Sequence, residues 1–524
     1  MARRRTPAAL LASGLSLFAV ACAGSRRPAA EQRPAEPPCP LVSSARYEGP
    51  PVYEDDPVRA PKKQAWEATR GGKEQSRSHV RARLKGWPRR FLAPRGTLPS
   101  DDRAFARRIA SDTWRGLDAF TDREHGLPID NVRFLGPSVA PATSRIGDYT
   151  NITNVGLHLI AVVAAADLGF VSRADALARL RTTLDTLGEL EQHEGFFFNY
   201  YDTTTLERTS NFISFVDTSW LLAGLIVVRN AFPEVAPRAS ELIDRMSYGF
   251  FYDPEIRQMS HGYFVHRRAR SRFHYGVFYT EARLGYLIAI GKGDAPASTW
   301  FEPVRVYPPS CAGQTLVPSG LRWEEAEGRS FYTGLYEWEG ERYVPSWGGS
   351  MFEALMPTLV VDERRLAPKS LGANDERHVR VQQRYSREVL RDPVWGMSPS
   401  AVPGHDAEDA YSEFGVRVLG MRGYKDGVVT PHASALAVPV APSAALANLR
   451  ALAESYPIYG DFGFYDAVDP KTGEVARSYM ALDQSMVLIA LANYLTDGAI
   501  QRHFSSDPIA RRAAPVLGLE DFFP

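Results

Sequence analysis

The 524-residue chain has little cysteine, no excess of charge of either sign and no basic tract in its body. Its three cysteines, Cys22, Cys39 and Cys311, are too few to suggest a disulfide framework, although an oxidising compartment would let Cys39 and Cys311 pair. Lys+Arg and Asp+Glu balance at 61 each, which argues against nucleic acid as the main partner. A Gly-rich phosphate loop and a Gly-x-Ser-x-Gly elbow are both missing, removing nucleotide-dependent and serine-esterase chemistry. The acidic run His405-Asp406-Ala407-Glu408-Asp409 has no HExxH or CxxC beside it, so a solvated loop explains it better than a metal cluster. Repeats and coiled-coil heptads are also lacking, which weakens a structural or adhesive role.

The clearest signal present is at the N-terminus. Arg3, Arg4 and Arg5 precede an apolar stretch from Ala8 to Val20. A run this short cannot cross a hydrocarbon core of roughly 30 Å, so residues 1–21 read as a signal peptide. Small residues before Cys22 resemble a bacterial lipobox, with Cys22 the lipidated new N-terminus. Ala23 follows it where an aspartate would favour the inner membrane, so an outer-membrane anchor in the cell envelope is expected. Residues 22–64 are rich in Pro, Ala, Arg and Glu and read as a disordered tether. Residues 65–524 contain no internal linker and read as one large domain.

Within that domain, amphipathic patterns predict helices near 103–119, 151–168, 173–191, 217–231, 236–248, 280–291, 350–360, 376–391, 409–420, 443–455 and 483–496. The 151–168, 217–231 and 483–496 segments are apolar on nearly every side, whereas 173–191, 236–248 and 376–391 carry a charged face. Buried and surface helices in alternation predict an all-α inner ring wrapped by an outer one, an (α/α)6 toroid. Asp217, Ser443 and Asp483 are the expected N-caps of their helices.

Several acids sit in aromatic or Gly-rich surroundings instead of on charged faces: Asp202, Asp217, Glu281, Glu353 and Asp483. Burial by such neighbours raises a carboxyl pKa toward that of a working general acid. Glycoside hydrolysis needs two carboxyl groups, one to protonate the leaving oxygen and one, ionised, to activate water or attack the sugar. Four of the acids have a ready structural alternative: a cap for Asp217 and Asp483, a pair with Arg283 for Glu281, a satisfied core acid for Glu353; Asp202, in a loop with no capping pattern, has the weakest one. Tyr201 and Trp347 are candidate sugar-stacking rings.

The blocks Thr153-Asn154-Val155-Gly156-Leu157, Asn199-Tyr200-Tyr201-Asp202-Thr203, Phe278-Tyr279-Thr280-Glu281-Ala282-Arg283, Ser346-Trp347-Gly348-Gly349-Ser350-Met351-Phe352-Glu353, Thr430-Pro431-His432-Ala433-Ser434 and Ala481-Leu482-Asp483-Gln484 resemble the glycoamylase-like family. That family includes bacterial endo-β-1,2-glucanases and the glycan-processing region of cyclic β-1,2-glucan synthases. The resemblance implies an (α/α)6 barrel and an inverting attack on β-glucan without a cofactor; no metal and a monomer are expected beside it. It implies Glu281 as general acid, Asp202 first and Asp217 next as its partner, and Tyr201, Trp347, Glu353, His432 and Asp483 as substrate contacts. A transglycosylase, an enzyme on another glycan, or a surface glycan-binding lipoprotein without turnover are the alternatives. The polar segment 301–346 departs from the shorter relatives and leaves the linkage open.

Overall fold

A computed structural model describes residues 36–39, 60–69, 73–94, 96, 98–404 and 410–523. The signal peptide, Cys22, most of the tether and the acidic run 405–409 lie outside the described residues. Pro37–Pro524 is one compact unit.

Six helices form the inner ring of an (α/α)6 barrel: Ile152–Asp167, Phe215–Ala231, Arg283–Lys292, Met351–Leu355, Pro431–Leu436 and Ala481–Leu495. The first, second and last are buried along almost their whole length, as their sequences demand. Outer helices include Asp102–Ala119, Arg173–Glu189, Ala236–Arg245, Leu371–Tyr385 and Pro442–Ser455, each burying one face only. Pro508–Ala513 packs outside Arg283–Lys292. Among the described residues no single helix is long and apolar enough to cross a membrane.

Two inner helices touch backbone to backbone. A Cβ on Gly156 would lie 2.4 Å from the Trp220 carbonyl oxygen, and one on Gly224 would lie 2.3 Å from that of Gly156. Only glycine permits this approach. It brings the first turns of 152–167 and 215–231 together, so that Thr153 Oγ1 donates to Asp217 Oδ1 at 2.7 Å.

Several sequence expectations need correction. The 409–420 helix does not form: Tyr411–Ser412 is a short strand and Arg417–Leu419 a single 3-10 turn. Gly415 is one reason, because a Cβ there would lie 2.6 Å from the Gly348 carbonyl oxygen in a close loop contact. The 350–360 helix is α-helical only to Leu355, because Pro357 cannot donate to the ladder. Ser214, Ala441 and Met480, not Asp217, Ser443 and Asp483, are the N-cap residues. The two aspartates are each the third residue of their helix. The tether expected to reach residue 64 ends earlier, since Pro61–Thr69 is helical and Glu207 accepts from the main-chain N–H groups of Lys62 and Lys63. Cys39 and Cys311 form a disulfide across 272 residues of chain.

The segment 301–346 carries an antiparallel three-stranded sheet of Ser319–Ala326, Arg329–Trp338 and Glu341–Tyr343. Tyr336 and Tyr343 anchor it in a second hydrophobic cluster with Tyr307, Met397 and Val416. That cluster supports the loop bearing Trp347.

Candidate active site

The inner helices begin at one mouth of the ring, and their first turns bear the site. Asp217, Glu353 and Asp483 are each the third residue of an inner helix, His432 the second, and Glu281 lies two residues before one. A carboxylate there faces the unpaired N–H groups and positive dipole end of its helix.

Two cavities of about 400 and 710 Å³ meet at this mouth. Tyr200, Asp217 and Glu281 line both, so these three stand where the lobes join. The smaller, or polar, lobe sets the charged and amide side chains of Asp130, Asn131, Arg133, Arg145 and Asn154 among apolar walls such as Trp220 and Phe352. The larger is aromatic, with Phe212, His261, Tyr275, Trp347 and Tyr424. A polar lobe can hydrogen-bond hydroxyls while an aromatic one offers flat apolar faces, a combination suited to a polyhydroxylated ring compound.

Glu281 is half-buried, and loss of water raises its pKa to about 8, helped by the nearby charges of Glu353 and Asp217. Such a group is protonated at neutral pH. Its suspected pairing with Arg283 is not observed. Arg283 donates from Nε and Nη2 to Glu363 at 2.8 and 2.9 Å, and from its remaining N–H groups to the carbonyls of Thr280, Glu353 and Ala354. Asp217 is also raised by burial, but hydrogen bonds involving Ser214, Thr153 and Asn151 oppose the shift by favouring its charged form.

Glu353 is buried against the larger lobe and fully engaged. Ser346 Oγ donates to it at 2.8 Å and Gly348 N at 3.0 Å, while Ser350 and Glu353 cap one another reciprocally. Gly348 and Gly349 make this possible: a Cβ on Gly348 would lie 2.1 Å from the Tyr424 ring, and Gly349 has φ +82°. Burial raises the Glu353 pKa against these bonds. Glu353 is therefore at once a satisfied core acid and a neighbour that acts on Glu281.

Asp202 is a correction. It lines neither lobe. Its Oδ1 accepts from the N–H groups of Thr204 and Thr205, and its Oδ2 pairs with Lys63 Nζ at 2.8 Å. Lys63 also pairs with Asp148. Asp202 thus serves an Asx turn locked to the 61–69 helix, a role that no local pattern signalled. Tyr201 is corrected as well, since it is fully buried, donates to the Glu191 carbonyl at 2.6 Å and cannot stack on a sugar. Trp347 does line the larger lobe. His432 and Asp483 are 2% and 1% exposed and lie behind the cleft wall, not on it. Burial drives the His432 pKa down to about 3 and raises those of Asp483 and its neighbour Asp466.

Sequence reasoning missed Tyr424, Glu413 and the polar lobe. Asn154 and Thr153 were within a quoted block, but no residue type or spacing marked Asp130, whose carboxylate accepts from Asn131 and Asn154 at 2.9 Å each.

The ring of paired helices with carboxylates at one mouth defines an (α/α)6 barrel with a two-lobed cleft. Residues 322–508 match the family described as putative glucoamylase, and residues 108–287 a family of proteins of unknown function. The chain is 25% identical to the cyclic β-(1,2)-glucan synthase NdvB of Rhizobium meliloti over 78% of its own length and 18% of that protein's. It is 21% identical to an exo β-1,2-glucooligosaccharide sophorohydrolase (non-reducing end) of Parabacteroides distasonis, over 76% and 56% of the two chains. It thus spans about a fifth and just over half of these two relatives. An endo-β-1,2-glucanase of Chitinophaga pinensis, solved with sophorotriose and glucose, has the same fold at 16% identity and TM-score 0.60, over 80% of this chain and 99% of that one. The glycoamylase-like resemblance read from the sequence is thus found again in the family match and in the fold.

Proposed function

We propose that the chain is a glycoside hydrolase that cleaves β-1,2-glucan within the polymer and inverts the anomeric configuration. The observation that carries this reading is the position of Glu281 and Asp217 at the junction of two lobes, with Glu281 held protonated at neutral pH. Glycan can occupy both lobes, placing one linkage between the two acids. Glu281 donates its proton to the glycosidic oxygen as the C1–O bond breaks, and Asp217 takes a proton from the water that attacks C1 from the opposite face. The polar lobe would hold hydroxyls and the Trp347 side would stack on a sugar face. The linkage is supported by the two curated relatives, both named for β-1,2-glucan or its oligosaccharides.

The test is wild type beside Glu281→Gln on linear β-1,2-, β-1,3-, β-1,4- and α-1,4-glucans, with product sizing and NMR of the first-formed anomer. Mid-chain cleavage of β-1,2-glucan with inversion, lost in the variant, is expected. Full activity in the variant would sink the acid assignment, retention would sink inversion, and products longer than the substrate would indicate transfer.

We also propose that the chain is exported, lipidated at Cys22, monomeric and held in the cell envelope, with the outer membrane favoured. The apolar run before Cys22 and the disulfide, which needs an oxidising compartment, support this reading. Cys22→Ser should release the protein from membranes or block processing. Unchanged fractionation and mass would overturn it.

A further inference from the structure

Behind the cleft wall, three side chains from separate elements converge. His432 comes from the first turn of helix 431–436, Asp466 from the turn between strands 463–464 and 467–468, and Asp483 from the first turn of helix 481–495. One ligand atom from each lies within 4.8 Å of the others. All three residues are at most 2% exposed.

Both Asp483 oxygens, Asp466 Oδ1 and His432 Nδ1 meet no conventional hydrogen-bond partner among the described residues, and Asp466 and Asp483 lie within hydrogen-bonding reach of each other. Leaving one such group unmet in the interior costs about 1–3 kcal/mol, and more for a charged one. Of the 21 buried side-chain atoms without a partner among the described residues, four converge at this one place. The other edges of two of these residues are held. Asp466 Oδ2 accepts from Ala401 N at 2.6 Å, and His432 Nε2 faces Thr430 Oγ1 at 3.4 Å. Oriented outer edges and unmet inner edges are the arrangement of a ligand set with its supporting shell.

We propose that His432, Asp466 and Asp483 bind one divalent transition-metal cation such as Zn²⁺ or Mn²⁺. One imidazole nitrogen with carboxylate oxygens suits these ions, whereas calcium and magnesium prefer oxygen alone. His432 Nδ1 lies 3.6 Å from Asp483 Oδ2, close to the roughly 3.4 Å between two ligands of one tetrahedral zinc ion. Two carboxylates and one cation also leave little net charge in the interior. The sequence pointed to no metal, because the three residues are 34 and 17 positions apart in succession, counted from 432 to 466 to 483. The ion braces the cleft from behind: Ala401 and Leu482 line the polar lobe, Ala401 donating to Asp466 and Leu482 preceding Asp483 in sequence. This inference stands apart from the sugar chemistry.

The test uses the full chain stripped with a chelator and titrated with Co²⁺ alone, followed by visible absorption, with Zn²⁺ as competitor. One equivalent of Co²⁺ with d–d bands is expected, displaced by Zn²⁺, with a rise in Tm on loading. Asp483→Asn should weaken binding at least tenfold, and His432→Gln should alter the bands. Wild type that binds no Co²⁺ saturably, or Asp483→Asn that binds as wild type does, overturns the proposal. Should Asp483→Asn fail to fold, the wild-type titration and His432→Gln decide it. An infrared carboxylic-acid band lost in Asp466→Asn, with no metal bound to wild type, would show that the aspartates share a proton instead.

Discussion

Arg283 gives all five of its N–H groups to Glu363 and to three main-chain carbonyls, and none to Glu281 two residues before it. The helix that begins at Arg283 therefore separates two tasks. Its arginine ties the 363–366 and 351–355 helices to the ring from within, while the glutamate ahead of it faces the cleft as an acid held by burial.

Arg283→Leu should destabilise strongly. Removing one partner of a buried pair costs about 3–5 kcal/mol, because the other charge is stranded. Urea unfolding followed by tryptophan fluorescence checks this, and a loss below about 1 kcal/mol would show that Glu363 finds another partner.

Glu281→Gln should abolish turnover and raise stability together. A carboxyl raised from 4.5 to about 8 by folding binds its proton in the native state but not in the unfolded one between those pH values. Stability therefore falls as pH rises from about 4.5 to about 8. Removing the group removes that slope. Tm measured at pH 5 and pH 8 should drop less in the variant than in wild type, and kcat should fall at least about 100-fold.

Glu353→Gln should move the alkaline limb of kcat/KM to lower pH. The acid must be protonated to act, so activity declines as pH rises through about 8. The charge of Glu353 is the second cause of that high value. An unshifted limb in a folded, active variant would remove Glu353 from any influence on the acid.

Asp202→Asn and Asp217→Asn should part company. Asp202 serves a turn and Lys63, so its variant should keep kcat within about threefold while losing stability. Asp217→Asn should lose at least about 100-fold in kcat. Equal losses in kcat would restore Asp202 as the leading base.

The barrel was legible because inner helices that are apolar on every side cannot be mistaken for surface ones. Glu281 stood out with four other acids because Phe278, Tyr279 and Ala282 surround it, and only the family resemblance set it first as the acid. Asp202 misled for the converse reason. Its partner Lys63 lies 139 residues earlier, in a segment whose composition suggested disorder, so nothing local revealed that the carboxylate was already satisfied. Tyr201 misled because an aromatic beside an acid looks alike whether it faces solvent or core. Asp130 and Tyr424 could not be found, since their roles arise from strands and loops that meet only in three dimensions.

The disulfide at Cys39 has a mechanical consequence for a chain hung from Cys22. Only 17 residues, from 22 to 39, would separate the lipid from the first covalent fixture on the body. At about 3.5 Å per residue that is a leash of roughly 60 Å at full stretch. With the bridge reduced, the next fixture would be the helix at Pro61, 39 residues on, which more than doubles the contour length of chain counted from Cys22. If the proposed anchor at Cys22 holds, oxidation would thus set the greatest distance between lipid and body without touching any group in the cleft.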